Sequence, residues 1–230
     1  MIKNYVEFKS YFSGYDYVLV AFSGGVDSAL VLKGAIDSLG TGRVLAVTAN
    51  SPSLSDRARN EAIQLARELR CNHRLVTTEE WRKAQYRANG PDRCYHCKME
   101  LYQIMRLVER ELPPSIIQGA ENGRTTVLIA NGANRDDVGD HRPGMQAATE
   151  HKIASPLLEL GMTKQDVRNL AKAIGLNVWS KPAAPCLASR VPYHTEVTPH
   201  KLNQIEKAED CLYALGFRDF RVRHHEVIAR

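Results

Sequence analysis

The chain of 230 residues contains no apolar run that approaches the roughly 20 residues of a bilayer span. Its first residues, MIKNYVEFKSYFSGYD, lack the apolar core of a secretory signal. A cytoplasmic protein with no membrane attachment is therefore expected. Cysteine is scarce and odd in number: Cys71, Cys94, Cys97, Cys186 and Cys211. An odd set in a chain read as cytoplasmic argues against a disulfide framework and in favour of metal ligation or thiol chemistry wherever cysteines cluster. Basic runs interleaved with aromatics are missing. The formal charge of +5 and the pI near 9.0 then point to small anions rather than to a nucleic acid. Neither an internal repeat nor a low-complexity tract is present.

What is there is ordinary in bulk: 43% apolar and 25% charged residues, in a chain long enough for one large α/β domain or two modest ones. The pattern along it is more specific. Asp16 to Phe22, Arg43 to Asn50 and His73 to Thr78 read as strands. Between them, Val26 to Leu39 and Ser53 to Arg70 have apolar residues at helical spacing, with Ser55 as a helix cap in the second. This alternation predicts a parallel sheet with right-handed crossovers. The polar segment Glu79 to Lys98 holds Cys94 and Cys97, and a helix is expected from Met99 to Arg110. Thr125 to Asn134 predicts a fourth strand and its loop. Thr163 to Leu176 predicts a helix capped by Thr163 and closed at Gly175, and Thr198 with Pro199 opens another. The closing FRDFRVRHHEVIAR reads as a strand, so the last element is expected to be incomplete.

The first strand meets the first of these helices at Ser23-Gly24-Gly25-Val26-Asp27-Ser28. Backbone N–H groups at a helix N-terminus, together with the helix dipole, favour a phosphate. The glycines permit close approach, Ser23 and Ser28 add hydroxyls, and Asp27 can hold Mg²⁺ between phosphates. The lysine of the loop used for γ-phosphate transfer is absent, and the dinucleotide fingerprint fails at Asp27. A glycine turn without a ligand is the plainer alternative. Two glycines, two serines and an acid at one strand–helix junction weigh against it.

SGGVDS resembles the PP-loop of the N-type ATP pyrophosphatases, which include GMP synthetase and tRNA-thiolating enzymes. The resemblance implies transfer of AMP to a substrate oxygen with release of pyrophosphate. It also implies that Thr48-Ala49-Asn50-Ser51 lies against adenine. Two further stretches, NGANRDDVGDHRPG (Asn131 to Gly144) and PCLASRVPY (Pro185 to Tyr193), resemble one branch, the LarE family. These are the ATP-dependent sulfur transferases of the nickel-pincer cofactor of lactate racemase. The likeness implies a PP-loop domain over residues 1–165 and a smaller α+β sulfur-transfer domain over 166–230, the junction falling between Ile153 and Lys181. It implies pyridinium-3,5-biscarboxylate mononucleotide as the substrate. One carboxylate is adenylylated, and sulfur then displaces AMP to leave a thiocarboxylate.

Cys186 matches the family's sulfur donor, which in single-cysteine members surrenders its own sulfur and becomes dehydroalanine. This chain departs from that pattern by adding Cys94-Tyr95-His96-Cys97. Three thiols, Cys94, Cys97 and Cys186, suit a 4Fe-4S cluster with one open iron, and a sulfide there would be the transferred atom. Zinc held by the cysteines and His96 is the competing assignment, and a sacrificed Cys186 the other. Arg190, Arg221 and Arg223 are the phosphate candidates. Arg221 and Arg223 alternate on the expected last strand, and arginines matching this pair hold the substrate phosphate in the family. The same pair can instead be a solvated strand face. Asp136, Asp137 and Asp140 can orient Mg²⁺ or ribose, or only cap a turn. Trp81 and Trp179 can stack on a ring but more often pack in a core. Lys181 is placed to steer anions rather than to catalyse, and His224 and His225 read as surface residues. The family forms hexamers, which implies a homo-oligomer. Another adenylylating enzyme, acting on tRNA or in amidation, is the nearest alternative. A nucleotide-binding module without pyrophosphate release is the alternative from a different class.

Overall fold

The computed structural model describes residues 4–113, 126–138, 143–225 and 227–230. A short helix, α1 (Tyr5–Ser10), precedes strand β1 (Tyr17–Ala21). Then follow α2 (Val26–Leu39), β2 (Val44–Asn50), α3 (Asp56–Glu68) and β3 (Asn72–Thr77). After the short α4 (Ala84–Arg87) come α5 (Arg93–Arg110), β4 (Val127–Ala130), α6 (Pro143–Glu150), α7 (Pro156–Glu159) and α8 (Lys164–Ala173). The chain closes with α9 (Pro199–Ala214) and a two-residue ladder of β5 (His224–His225) and β6 (Ile228–Ala229). The main sheet is parallel throughout, in the order β3-β2-β1-β4. This is the mixed α/β architecture of a PP-loop domain, as the strand and helix patterns predict.

Both faces of the sheet are covered, which explains why β1 is buried at every position and reads as a continuous apolar run. Val18 and Val20 face one core with Leu30, Leu32, Leu65 and Phe12. Tyr17, Leu19 and Ala21 face the other, with Leu101, Tyr102 and Met105 of α5 and Ala147 and Ala148 of α6. Val167, Ala171 and Leu176, in and just after α8, join the first core. A third cluster gathers Tyr86, Leu187, Ala188, Val191, Val197, Leu202 and Ile205, and seats the cysteine-bearing loop on α4 and α9.

Two expectations are corrected. The helix expected from Met99 begins at Arg93, so Cys94 and Cys97 lie on its first turns and not in a loop. The expected C-terminal strand is only the β5–β6 ladder, and residues 221–223 lie outside it. Two backbone hydrogen bonds between Arg223 and Arg230 carry the pairing one residue further, and among the described residues it stops short of Arg221. Asp140 lies outside the described residues. Among the described residues, no helix is long and apolar enough to cross a membrane.

Candidate active site

The strand order reverses at β1, between β2 and β4, and ligands of open α/β sheets bind at the carboxyl ends of the strands at such a point. The turn Ser23–Ser28 leaves β1 there. Gly24 adopts φ +71°, and a Cβ on it would lie 3.0 Å from Cα of Ala62 in α3, so both conformation and space demand glycine. Gly25 stands at the N-cap of α2 with no side-chain cap, leaving that helix end to a ligand. The serine hydroxyls close the turn: Ser28 Oγ accepts from Ser23 N–H at 3.2 Å and donates to the Gly25 carbonyl at 3.1 Å.

The loop after β4 buttresses this turn. A Cβ on Gly132 would come within 2.7 Å of the Ser28 nitrogen and 3.1 Å of Asp27 Cβ, so this glycine lets two loops touch. Asn134 Nδ2 donates to Asp27 Oδ1 at 3.2 Å, and Lys164 Nζ pairs with Asp27 Oδ2. Asp137 closes a capping box with Asn134, while Asp136 accepts the Lys164 N–H at 2.9 Å. Both acids therefore hold the loop in shape, and both line the cavity. Lys181 bridges Glu61 at 2.7 Å and the Gly24 carbonyl at 3.2 Å.

A cavity of about 930 Å³ runs from Ser23, Gly25 and Asp27, past Ser53, Ser55 and Lys181, to Pro185, Cys186, Arg190 and Arg221. Ala49 and Asn50 end β2 beside it but are not among its lining residues. Arg57, Arg218 and Tyr213 line its far end, the Tyr213 ring lying 4.5 Å from the Arg57 guanidinium and 4.3 Å from that of Arg218. Arg218 and Arg221 donate to backbone carbonyls, of Tyr213 and Phe217 and of Ala183 respectively. Arg223 is not a lining residue; its backbone exchanges two hydrogen bonds with Arg230. Arg190 is buried. Its guanidinium grips both carboxylate oxygens of Glu209, at 2.9 and 3.2 Å, and donates to the carbonyls of Pro185 and Cys186. It shapes the cysteine loop from behind.

The three cysteines named above are drawn into one neighbourhood by Asn89 and Arg93. Asn89 Nδ2 donates to the carbonyls of Pro192 (2.7 Å) and Thr195 (3.1 Å), and Arg93 donates to that of Ala188 at 2.9 Å. These bonds stitch the start of α5 onto the Cys186 loop. Leu187 N–H donates to the Ser53 carbonyl at 2.9 Å and ties the same loop to the end of β2. Cys186 is open to the cavity yet crowded by protein on its other sides, and that crowding pushes its thiol up while Arg93 pulls it down. Burial, then the Glu80 carboxylate, push Cys97 up to about 12. Arg93 loses to burial but gains more from Cys186, Cys94 and Tyr86, so it stays charged among the thiols. Yet among the described residues no group of three or more His, Cys, Asp or Glu side chains is arranged to hold a metal ion. His96 is engaged with Asp92 at 3.1 Å. The described residues therefore lend support to neither a cluster nor a zinc site.

Trp81 packs beside the third core and Trp179 carries Lys172 over its ring at 4.6 Å. His224 meets Gln204 at 3.3 Å, and both it and His225 are partly exposed. Sequence reasoning missed Lys164, Asn134, Asn89, Arg93 and Glu209. Only Lys164 leaves a local signal, as a cation directly after a capping Thr163.

The family model that matches is NAD synthase, over residues 1–99. An uncharacterized protein of Synechocystis sp. is 41% identical over 96% of this chain and 78% of its own length. The pyridinium-3,5-bisthiocarboxylic acid mononucleotide synthase of Lactiplantibacillus plantarum is 39% identical over 93% of this chain and 73% of its own length. An uncharacterized protein of Methanocaldococcus jannaschii is 27% identical over 92% of this chain and 75% of its own.

Proposed function

Because the chain belongs to the LarE family of PP-loop proteins, we propose that it is an ATP-dependent sulfur transferase that makes a thiocarboxylate from pyridinium-3,5-biscarboxylate mononucleotide, for a nickel-pincer cofactor. The observation that carries the reading is the single cavity joining the Ser23–Asp27 turn to Cys186 and Arg221. Nucleotide and acceptor share one space, with a thiol between them.

The chemistry follows from charge and leaving-group ability. The amides of Gly24, Gly25 and Val26 and the hydroxyls of Ser23 and Ser28 take the ATP phosphates, with Ala49 and Asn50 near the base. Asp27 takes the Mg²⁺ that arrives with ATP. A substrate carboxylate oxygen attacks the α-phosphorus, the bond to the bridging oxygen breaks, and pyrophosphate leaves with the electron pair. A free carboxylate has no good leaving group; its adenylate has AMP. Sulfur then attacks the activated carbon and AMP departs. Arg221, with Arg218 alongside, is the anchor for the substrate phosphate, and Arg190 acts on it only by setting the cysteine loop. We divide the work along the chain, residues 1–165 activating and 166–230 transferring sulfur.

Cys186 is the sulfur-bearing group, since it alone of the three thiols lines the cavity. A 4Fe-4S cluster on Cys94, Cys97 and Cys186 draws no support from the described residues, so the transfer rests on the Cys186 sulfur. If the cysteine sulfur itself is transferred, its bond to Cβ breaks with loss of the Cα proton, and dehydroalanine remains. Isotopically labelled ATP with the dicarboxylate nucleotide should give AMP and pyrophosphate; ADP and orthophosphate would overturn the reading. Mass spectrometry of the chain after turnover, with iron and sulfide analysis of anaerobic protein, decides the sulfur source. Loss of H₂S from Cys186 is the expected result.

A further inference from the structure

Two buried hydroxyls meet beside the cysteine loop. Ser53, just past β2, and Tyr86 of α4 place their oxygens 2.5 Å apart, at 4% and 1% exposure. Each hydroxyl carries one proton, and the hydrogen bond between them uses one of the two. Among the described residues no acceptor takes the other. Burial, then the charge of Cys186, push the Tyr86 phenol up, so it keeps its proton. Ser53 is held firmly. Its N–H donates to Ser51 Oγ at 3.3 Å, and its carbonyl accepts from Leu187 N–H at 2.9 Å, one residue from Cys186. Ser53 and Cys186 line the cavity, and Tyr86 does not. The Cys186 sulfur has donors of its own: Arg93 and the amides of Ser189 and Ala188 oppose the burial that pushes its thiol up. Those donors act on the sulfur. The oxygen on the carbon it attacks needs another.

We propose that Ser53, oriented by Tyr86, donates the hydrogen bond that stabilises the oxyanion formed when sulfur attacks the acyl adenylate. This rests on the adenylylation reading above. The Tyr86 phenol donates to Ser53 Oγ, and the serine proton turns to the cavity. The Cys186 proton leaves to water first. The thiolate then bonds to the carboxyl carbon, and the C=O pair moves onto the oxygen, where the Ser53 O–H meets it. As the pair returns, the bond from that carbon to the AMP oxygen breaks and AMP leaves with its electrons. No proton passes to or from Ser53. A hydroxyl already buried and aligned need not reorganise during the reaction, so its hydrogen bond counts for more than it would in water. The oxygen takes the same charge whichever sulfur attacks. Ser53 is the catalytic group of the pair and Tyr86 the positioning one.

A pair that only seated the loop would behave differently, because either variant breaks the same bond and both would lose equally. The test is single-turnover kinetics of the intact chain and its S53A and Y86F variants, with ATP and the dicarboxylate mononucleotide. Pyrophosphate and thiocarboxylate, free or enzyme-bound, are followed separately. S53A should release pyrophosphate as wild type does and transfer sulfur ~100-fold or more slowly, the scale of one lost oxyanion donor. Y86F keeps the Ser53 proton and should lose less than S53A. Cys186 should be alkylated at the wild-type rate in both variants, the loop still being seated. Sulfur transfer by S53A at the wild-type rate, or equal losses in S53A and Y86F with faster alkylation of Cys186, overturns the inference and leaves the adenylylation reading standing. ADP and orthophosphate from the unmodified chain would sink that reading and the inference with it.

Discussion

Arg190 is 7% exposed and its partner Glu209 3% exposed, so the pair sits where an unmatched charge is costly. Arg190→Ala leaves a buried carboxylate without its counter-charge and takes the guanidinium donor from the Pro185 and Cys186 carbonyls. Removing one partner of a buried pair costs about 3–5 kcal/mol. The expected outcome is a large fall in melting temperature together with lost sulfur transfer. A variant that melts like wild type but binds the substrate phosphate poorly would return Arg190 to the role of anion ligand. Cys97 makes a second case at this scale. Its thiol is pushed up to about 12, against about 8.5 for a free cysteine, so at pH 8 it stays protonated. Alkylation followed by peptide mapping should find Cys97 much slower than a free thiol, with a rate rising about tenfold per pH unit up to its own pKa. Labelling at pH 8 at the rate of a small thiol would show that burial does not govern this residue.

At the scale of elements, the loop after β4 and the cap of α8 both bear on Asp27. Gly132→Ala would drive a methyl into the Ser28 nitrogen, a backbone atom that cannot step aside, so the phosphate-binding turn must move. Nucleotide affinity should fall while overall stability changes less, which calorimetry and thermal melting can separate. Thr163→Ala removes a cap worth about 1 kcal/mol and loosens the mount of Lys164. The sequence makes these elements legible to very different degrees. β1 and β2 announce themselves because burial imposes apolar runs, and a glycine turn follows the first; β3, exposed at most positions, is read from the alternation of strands and helices. The caps at Ser55, Thr163 and Thr198 are equally local and equally readable. The start of α5 is not, because Arg93 and Asn89 find their partners among residues 188–195, about a hundred positions on. The last strand misleads for the opposite reason: alternation in FRVRH suggests a full strand, but the pairing found there is confined to Arg223 and His224–His225. Of the site, the phosphate turn and Cys186 are readable from motif, whereas the cations that serve the cavity become apparent only when distant segments meet.

Across the whole molecule, burial raises the pKa of several acids at once. Cys71 is pushed up to about 11 and Cys97 to about 12, and Tyr5, Tyr11, Tyr17 and Tyr86 are all displaced upward, burial being the largest cause in each. The direction of the linkage is common to them. The folded chain holds these protons more tightly than the unfolded chain, whose thiols and phenols ionise near 8.5 and 10. Below pH 8.5 the two states are protonated alike and the contribution is complete. As pH climbs toward 11–12 the unfolded chain sheds protons that the folded chain keeps, so unfolding is progressively favoured. Urea unfolding should therefore show a midpoint that is level between pH 7 and 8 and falls between pH 9 and 11. Its slope against urea should be unchanged, since the same surface is exposed. Because Cys97 and Tyr86 belong to the cluster that seats the Cys186 loop, probes in that loop should report the alkaline loss no later than probes in the sheet. A midpoint that stays level to pH 11 would mean these groups ionise as easily in the fold as outside it, and the crowding assigned to the thiols would be wrong.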